Sequence, residues 1–247
     1  MRWAGALSRL RGRILDLFYP RICPECGNNS DREDRYLCWS CLAKVRLKDS
    51  TVCLICGKTV LAAPEGELPV CSECRAAMPS YDRCRSAAVF AGPVRKMIHQ
   101  LKYGGGIWLA EDFGDFLQGS FRMHYGRAGI DLILPVPLHF RKYFSRGYNQ
   151  AAVLAETLSS RTKTTYRTGL LRRRHGTTTQ TFLSPSARRK NVRNVFHIRD
   201  PKHELVGKTI LLIDDVVTTG ATLNECARLL KEAGAKAVYC LTAASGY

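Results

Sequence analysis

Two adjacent carboxylates, Asp214 and Asp215, follow a run of four apolar residues and precede the short loop Thr218–Thr222. Small residues and Gly220 let the backbone N–H groups of such a loop converge, and the start of a following helix adds its positive dipole end. The loop is therefore suited to bind a phosphate. Carboxylates repel phosphate, but they accept hydrogen bonds from vicinal hydroxyls such as those of a ribose. A phosphate and a diol held side by side describe a ribose 5-phosphate.

A strand, a loop and a helix must position these groups. Residues 208–215 give the clearest strand pattern of the sequence, and the helical pattern over 222–233 ends at Gly234. Strands alternating with helices, with nearly continuous apolar strands, indicate an α/β fold whose parallel sheet is covered on both faces. Ligands of such sheets bind beyond the carboxyl ends of the strands, where the two carboxylates fall. The remaining predicted strands cover 86–90, 131–138, 192–198 and 237–242, and the remaining helices cover 94–102, 107–124 and 150–159.

Eight of the eleven cysteines form Cys-x-x-Cys pairs: Cys23/Cys26, Cys38/Cys41, Cys53/Cys56 and Cys71/Cys74. The two-residue gap lets both sulfurs of a pair face one ion at about 2.3 Å, and two pairs complete a tetrahedral thiolate shell. We therefore predict two Zn²⁺ sites, and both are structural because four sulfurs leave no open position. A cross-braced pairing, first with third and second with fourth, is also stereochemically allowed. Sequential pairing is favoured because each half then closes through a short loop.

The other cysteines and the glycines after the pairs have simpler roles. Cys226 and Cys240 lie in apolar segments and are predicted core residues, whereas Cys84 is unpaired. Gly27 and Gly57 follow the second sulfur of their pairs and suit the tight turn that such a knuckle makes.

The charge of the chain is strongly positive and unevenly distributed. The formal net charge is +17, with 38 Lys+Arg against 21 Asp+Glu. Residues 1–84 contribute 13 basic and 10 acidic side chains, whereas residues 85–247 contribute 25 and 11. The excess predicts an anionic partner, either a phosphate-rich small molecule or a nucleic acid. Charge alone does not choose between these two partners.

The N-terminal segment predicts an amphipathic helix rather than a signal peptide or a membrane anchor. Trp3, Leu7, Leu10, Ile14 and Leu17 recur at helical spacing, and arginines interrupt any apolar run long enough for a signal peptide. Since no stretch approaches the length of a transmembrane span, we expect a cytoplasmic protein without stable membrane insertion. The predicted organisation is a helix over 1–20, a double zinc ribbon over 21–84 and an α/β domain over 85–247.

Residues 210–222 resemble the thirteen-residue signature of type I phosphoribosyltransferases, which bind phosphoribosyl pyrophosphate (PRPP). The resemblance implies that Asp214 and Asp215 contact the 2′ and 3′ hydroxyls of the ribose and are the catalytic carboxylates. It also implies that the loop holds the 5′-phosphate and that Mg²⁺ binds together with PRPP, held mainly by oxygens of the ligand. The implied PRPP-binding residues are Asp214, Asp215, Val216, Val217, Thr218, Thr219, Gly220, Ala221 and Thr222.

The resemblance extends to the ComF family, whose members carry a double zinc ribbon joined to a phosphoribosyltransferase domain and are associated with natural competence. It is carried by the four cysteine pairs, the lysine in Leu101–Gly105, the signature itself and the stretches over 135–150 and 179–196. The resemblance implies PRPP as a ligand and other DNA-uptake proteins as partners. It also implies a pyrophosphate loop at Val136, Pro137, Arg141 and Arg146 and a flexible basic loop at Arg188, Arg189 and Lys190.

A second function from another class is a single-stranded nucleic-acid-binding protein that uses a PRPP site as a sensor or scaffold. Residues 161–200 hold eleven Lys/Arg and one acid, Asp200, with Arg172–Arg174 in a row. Tyr166, Phe182 and Phe196 are nearby aromatic residues on which bases could stack. The two functions are compatible, and the sequence predicts single-stranded DNA as a partner. The acceptor of a transfer reaction is not encoded in any recognisable pattern.

Overall fold

Five strands form one parallel sheet in a computed structural model of the chain. The structure describes residues 21–48, 51–60, 68–174, 195–200 and 202–246, so the predicted N-terminal helix lies outside the described residues. The strands are β1 (Arg83–Val89), β2 (Leu132–Pro135), β3 (Thr165–Tyr166), β4 (Leu171–Arg173), β5 (Phe196–Ile198), β6 (Thr209–Val217) and β7 (Ala237–Ser245). The sheet order is β1-β7-β6-β2-β3, and a small antiparallel sheet pairs β4 with β5.

Helices occupy both faces of the sheet, as the apolar strands require. The helices of the described residues are α1 (Trp39–Leu42), α2 (Ser72–Ala76), α3 (Gly92–Tyr103), α4 (Ala110–Tyr125), α5 (Phe140–Arg146), α6 (Gln150–Thr162) and α7 (Ala221–Glu232). The two short helices α1 and α2 each begin directly after the third cysteine of a predicted metal site, and a 3₁₀ turn (Ile107–Leu109) leads into α4.

Strand β6 divides the core into two clusters, because its successive side chains point to opposite faces. Ile210 and Leu212 pack with the cluster that contains α7 and the second cysteine group. Leu211 and Ile213 pack with the cluster that contains α3, α4, α6 and the first cysteine group. All four side chains are fully buried. Each cysteine-rich half therefore covers a different face of the same sheet.

The first cysteine-rich half is fastened to α4 by a buried carboxylate. Asp112 accepts hydrogen bonds from Arg32 Nη1 at 3.1 Å and from the backbone amides of Tyr36 and Leu37 at 2.9 and 3.3 Å. Next to it, Asp115 pairs with Arg35 and with Arg161 of α6. Burial raises the pKa of Asp112, and the two amides and Arg32 oppose that rise.

The second cysteine-rich half is fastened to β1 through its backbone. The buried Arg85 donates to the carbonyl oxygens of Cys53 and Leu54, and the amide of Cys84 donates to Ile55 at 2.7 Å. Gly57 has a φ of +73°, and a Cβ there would lie 2.7 Å from the carbonyl oxygen of Cys84. Only glycine fits this approach, since L-residues avoid positive φ and the contact is too short.

The structure agrees with the principal sequence-predicted elements, adds the short strands β3 and β4, and differs at two further segments. The segment of Arg141 and Arg146 was expected to be a loop, but it forms α5. Residues 196–198 of the predicted strand form β5, which pairs antiparallel with β4 outside the main sheet. Cys226 and Cys240 are fully buried, which confirms them as core residues. Gly234 has φ +90° just after α7, which confirms it as the stop of that helix.

Within the described residues, none of the helices combines the length and the apolar character that a membrane-crossing segment needs.

Candidate functional site

The two carboxylates lie at the carboxyl end of β6, where the sequence places them. Asp214 and Asp215 are the sixth and seventh residues of this nine-residue strand. Lys102, near the end of α3, places its Nζ 2.8 Å from Asp215 Oδ1. The Asp214 side chain turns inward, and its Oδ1 accepts a hydrogen bond from the amide of Asp215 at 2.8 Å. The site therefore holds one carboxylate that pairs with a cation and one that accepts a hydrogen bond from the backbone.

The electrostatics of the two carboxylates are unequal. Burial and the adjacent charge of Asp215 raise the pKa of Asp214 to about 8, although the amide of Asp215 and Lys102 oppose this rise. Near neutral pH the Asp214 carboxyl is consequently protonated in the ligand-free protein for most of the time. A protonated carboxyl both donates and accepts hydrogen bonds, whereas a carboxylate only accepts. The pair offers two different partners to vicinal hydroxyls.

The loop after β6 combines a left-handed glycine, exposed threonines and the start of a helix. Gly220 has φ +73° and is the residue that precedes α7, a helix of twelve residues. The hydroxyl of Thr219 accepts from the amide of Ala221 at 3.4 Å, and Thr218 and Thr219 are exposed. Val217 is buried and anchors the loop through its carbonyl, which accepts from Gly246 at 2.9 Å. Exposed hydroxyls, backbone amides and a helix start thus converge at one point.

The predicted pyrophosphate loop lies beside this site. The amide of Val136 donates to the carbonyl of Ile213 at 2.9 Å, and Asn149 Nδ2 donates to the carbonyl of Val136 at 3.0 Å. These bonds keep Val136 and Pro137 next to the end of β6. Arg146, the last residue of α5, donates to Gln150 Oε1 at 3.0 Å and lies over the ring of Tyr103 at 4.9 Å.

Several cations gather around the two carboxylates. Burial lowers the pKa of Lys142, and the charges of Arg146, Arg173 and Lys102 lower it further. A lysine that is influenced by three other cations marks a strongly positive region, which Asp215 only partly offsets. Such a region is suited to a highly charged anion such as pyrophosphate. The basic residues of the predicted flexible loop, Arg188, Arg189 and Lys190, lie outside the described residues.

The family motif at Leu101–Gly105 includes Lys102 but indicates no role for it, and no sequence pattern singles out Lys142. Arg173 belongs to the basic run Arg172–Arg174, which was predicted to bind nucleic acid. The partner of Lys102 is more than a hundred positions away in the sequence, so no local pattern connects the two residues. Lys142 lies next to Arg141 in a helix that was expected to be a loop. A helical reading of 140–146 would have placed Lys142 and Arg146 one turn apart on the same face.

The eight cysteines form two tetrads, which confirms the sequential pairing. Within each tetrad the sulfurs all lie within 4.8 Å of one another. The sulfurs of Cys26 and Cys38 are 3.8 Å apart, and those of Cys56 and Cys71 are 3.6 Å apart. Tetrahedral zinc with bonds of about 2.3 Å separates its sulfurs by about 3.8 Å. The tetrads are Cys23, Cys26, Cys38 and Cys41, and Cys53, Cys56, Cys71 and Cys74.

The knuckle geometry agrees with this assignment. Gly27 and Gly57 have φ of +78° and +73°, as expected for the turn after the second sulfur. In the first tetrad the amide of Gly27 donates to the carbonyl of Cys23, and in the second the amide of Gly57 donates to that of Cys53. The two tetrads are structural zinc sites, since each offers four sulfurs and a closed shell.

The aromatic residues expected near the basic segment do not all face solvent. Phe196 is only 2% exposed, because it packs against α7 in the core. Arg173 lies over its ring at 5.5 Å. The prediction that Phe196 stacks with bases is therefore wrong. Tyr166 is partly buried against the core, and Phe182 lies outside the described residues.

The fold and the two kinds of site define a phosphoribosyltransferase domain preceded by a double zinc ribbon. Residues 146–246 match the phosphoribosyl transferase domain family, and residues 14–75 match the double zinc ribbon domain family. The same combination is what the sequence predicts, and the parallel sheet with helices on both faces confirms the fold class.

Whole-chain relatives narrow this class. The DNA utilization protein YhgH of Escherichia coli K12 is 32% identical over 221 residues, which cover 83% of this chain and 96% of the relative. Competence protein F of Haemophilus influenzae is 29% identical, covering 90% and 95% of the two chains, and competence protein ComFC of Bacillus subtilis is 26% identical, covering 82% and 81%. The chain belongs to the ComF family, together with YhgH.

Proposed function

We propose that the chain binds PRPP with Mg²⁺ at the carboxyl edge of the sheet and serves DNA utilisation or natural transformation in the cytoplasm. The observation that carries the proposal is the junction of β6 and α7, where two carboxylates precede a loop built for phosphate. Asp214 and Asp215 then hold the ribose hydroxyls, and residues 218–222 hold the 5′-phosphate. Relatives named for competence and DNA utilisation support the cellular role.

The same geometry supports a phosphoribosyl transfer. In that reaction the bond between C1 and the pyrophosphate oxygen breaks, and its electron pair leaves with pyrophosphate while the acceptor bonds to C1. Positive charge develops on the sugar, close to the carboxylates, and negative charge develops on the leaving group. Lys142, Arg146 and Arg173 supply cations on the leaving-group side. Mg²⁺, when bound with PRPP, neutralises further charge of the pyrophosphate.

Calorimetric titration with PRPP and Mg²⁺ tests the proposal. We expect saturable binding to the wild type and at least about hundredfold weaker binding to the Asp214→Ala/Asp215→Ala variant, since each charge-assisted hydrogen bond contributes about 1.5–3 kcal/mol. Glu232→Gln removes an exposed carboxylate at the other end of α7 and is the matched control. Equal affinity of the double variant and the control would refute the assignment. Release of pyrophosphate with candidate acceptors then tests transfer.

A second candidate function is binding of single-stranded nucleic acid, with PRPP as a signal rather than a substrate. The observation that favours it is the surplus of cations in residues 85–247, of which Arg172 and Arg174 are exposed beside the site. Anisotropy of a labelled single strand measured at several salt concentrations tests it, because each neutralised phosphate contributes about 0.7 to the logarithmic salt slope. A slope near zero would contradict this function.

A further inference from the structure

A groove of ≈ 940 Å³ separates the first zinc ribbon from α3 and opens at the candidate PRPP site. Pro24 and Glu25 of the ribbon form one wall, and α3 forms the other. Lys102 lines the groove and also pairs with Asp215, so one side chain belongs to both places. A molecule in this groove therefore lies next to the carboxylates proposed to hold the ribose.

The wall formed by α3 carries a stripe of exposed side chains. Arg95, His99 and Tyr103 are spaced four residues apart, so they lie one above the other on one face of the helix. All three are exposed, whereas Met97 and Leu101 on the opposite face are buried. The wall of the groove that α3 forms thus presents one guanidinium and two rings.

Tyr103 lies at the end of the stripe that is nearest to the PRPP site. It is 67% exposed, its ring centroid is 4.8 Å from that of His99, and the guanidinium of Arg146 lies 4.9 Å from its centre. The exposed part of this ring offers a nucleobase a stacking surface, and the guanidinium beside it attracts a phosphate.

Charge favours an anionic occupant. Arg95, Lys96, His99 and Lys102 line the groove, and Glu25 is the acidic side chain among the lining residues that the structure describes. Lys96 engages the ribbon, because its Nζ donates to the carbonyl of Glu25 at 2.8 Å and lies 3.4 Å from Glu25 Oε2. Arg95 remains on the exposed face, where a phosphate chain would pass.

We propose that this groove binds single-stranded nucleic acid, with one base stacked on Tyr103 and the backbone passing Arg95. Stacking on an exposed ring requires an unpaired base, which selects a single strand over a duplex. The inference rests on the proposed function, since it places the strand beside the ribose of PRPP. The occupant is a nucleotide chain rather than a free base, because a neutral base would leave the cations of the groove unused.

Fluorescence anisotropy with a labelled oligothymidylate of about 16 nucleotides tests the groove on the full zinc-loaded chain. Tyr103→Ala is expected to weaken binding by at least about fivefold, as the loss of one base stack requires. Arg95→Ala is expected to lower the logarithmic salt slope by about 0.7, and Arg95→Lys is expected to restore it. The matched control is Arg122→Ala/Met123→Ala, which removes an exposed cation and an exposed apolar side chain from α4.

A second readout locates the strand independently of affinity. An oligonucleotide that carries bromodeoxyuridine is irradiated with the wild-type protein, and the crosslinked peptide is identified by mass spectrometry. A crosslink in the peptide that contains Tyr103 supports the groove. Crosslinks confined to the strand Arg172–Arg174 or to the zinc ribbons would overturn it, as would an affinity of the Tyr103→Ala variant equal to that of the control.

Titration of PRPP into the same proteins separates this inference from the proposed function. Arg95→Ala/His99→Ala is expected to bind PRPP like the wild type while it binds the oligonucleotide at least about fivefold more weakly. Absence of PRPP binding to the wild type would refute the proposed function. Unchanged oligonucleotide affinity of the groove variants, with intact PRPP binding, would refute only the groove.

Discussion

Lys102 places its Nζ 2.8 Å from Asp215 Oδ1 and thereby connects α3 to the carboxyl end of β6. The lysine and aspartate side chains are 23% and 13% exposed, so solvent screens this ion pair only in part. Lys102 also lowers the pKa of the neighbouring Asp214, which burial and Asp215 raise to about 8. A single cation thus pairs with one of the carboxylates proposed to hold the ribose and lowers the pKa of the other.

Replacing this cation is expected to shift the pH dependence of PRPP binding. In Lys102→Met the pKa of Asp214 rises further, because a charge that favours its ionised form is lost. If binding requires the ionised carboxylate, affinity rises with pH and levels off above the pKa of Asp214. The variant is then about tenfold weaker at neutral pH and approaches the plateau at higher pH than the wild type. Calorimetry over a pH series measures this, with Lys236→Met, an exposed lysine away from the site, as the control.

The buried Asp214 is also expected to cost stability. Its pKa is about 8 in the folded protein against a reference value of 3.8, so between these values the folded state holds a proton that the unfolded state has released. Stability from this group is therefore complete below about pH 4 and declines as pH rises towards 8, by up to about 1.4 kcal/mol per unit. Asp214→Asn does not titrate and should become more stable than the wild type as pH rises.

Urea unfolding of both proteins at pH 6, 7 and 8 measures this difference in the free energy of unfolding. We expect the gap between Asp214→Asn and the wild type to widen with pH, while PRPP binding is lost in the variant. A gap that stays constant over this range would show that Asp214 is not protonated in the folded protein.

The sequence predicted those parts of the site that depend on residues close to one another in the chain. The carboxylates, the loop and the cysteine pairs are local patterns, since their geometry is set within about a dozen residues of chain. In contrast, Lys102 and Asp215 are far apart in the sequence, and so are Asp112 and Arg32, with about eighty or more positions between the members of each pair. Single-sequence periodicity carries no information on such pairs, so these contacts were missed.

Two other discrepancies have local causes. The helix α5 was missed because Pro135 and Pro137 mark a loop and because a helix of 7 residues is too short for the spacing of Phe140, Tyr143 and Phe144 to stand out. The burial of Phe196 was not predicted because a strand of three residues is too short to show an alternating pattern, and the sequence did not indicate that Phe196 faces α7. Burial by a partner element decides such cases, and it is a tertiary property.

The buried carboxylate Asp112 is expected to hold the first zinc ribbon on the sheet. Asp112→Ala removes one of the two carboxylates that pair with the largely buried Arg32, so that Asp115 alone remains, and it takes away the acceptor of the Tyr36 and Leu37 amides. Each buried donor that is left without an acceptor costs about 1–3 kcal/mol. Glu111→Ala is the matched control, because Glu111 pairs with Arg161 at an exposed position, where the loss is below about 1 kcal/mol.

Denaturation and hydrogen exchange check this prediction together. Chemical unfolding should show the large loss for Asp112→Ala and the small one for Glu111→Ala. Exchange should accelerate over residues 30–45 in the first variant, while both zinc ions stay bound, since the tetrad itself is untouched. Equal stability of the two variants would mean that the ribbon is held by its apolar contacts alone.

Gly220 is expected to be irreplaceable in the phosphate loop for two separable reasons. Its φ of +73° is a left-handed conformation that costs an L-residue about 1–2 kcal/mol. A Cβ at this position would also lie 3.3 Å from the hydroxyl of Tyr81, which comes from the segment that follows the second zinc ribbon. Gly220→Ala should therefore destabilise the protein and weaken PRPP binding at least about tenfold, since the loop amides that face the phosphate are displaced.

The two reasons are distinguished by a second substitution. Tyr81→Phe removes the hydroxyl, so Gly220→Ala/Tyr81→Phe relieves the close contact but keeps the backbone strain. Partial recovery of PRPP affinity in the double variant is expected, whereas full recovery would mean that the left-handed conformation is unimportant. Gly119→Ala is the control, because it lies within α4 with open space around it and should gain about 0.5–1 kcal/mol. PRPP affinity of Gly220→Ala equal to that of Gly119→Ala would show that this loop does not hold the phosphate.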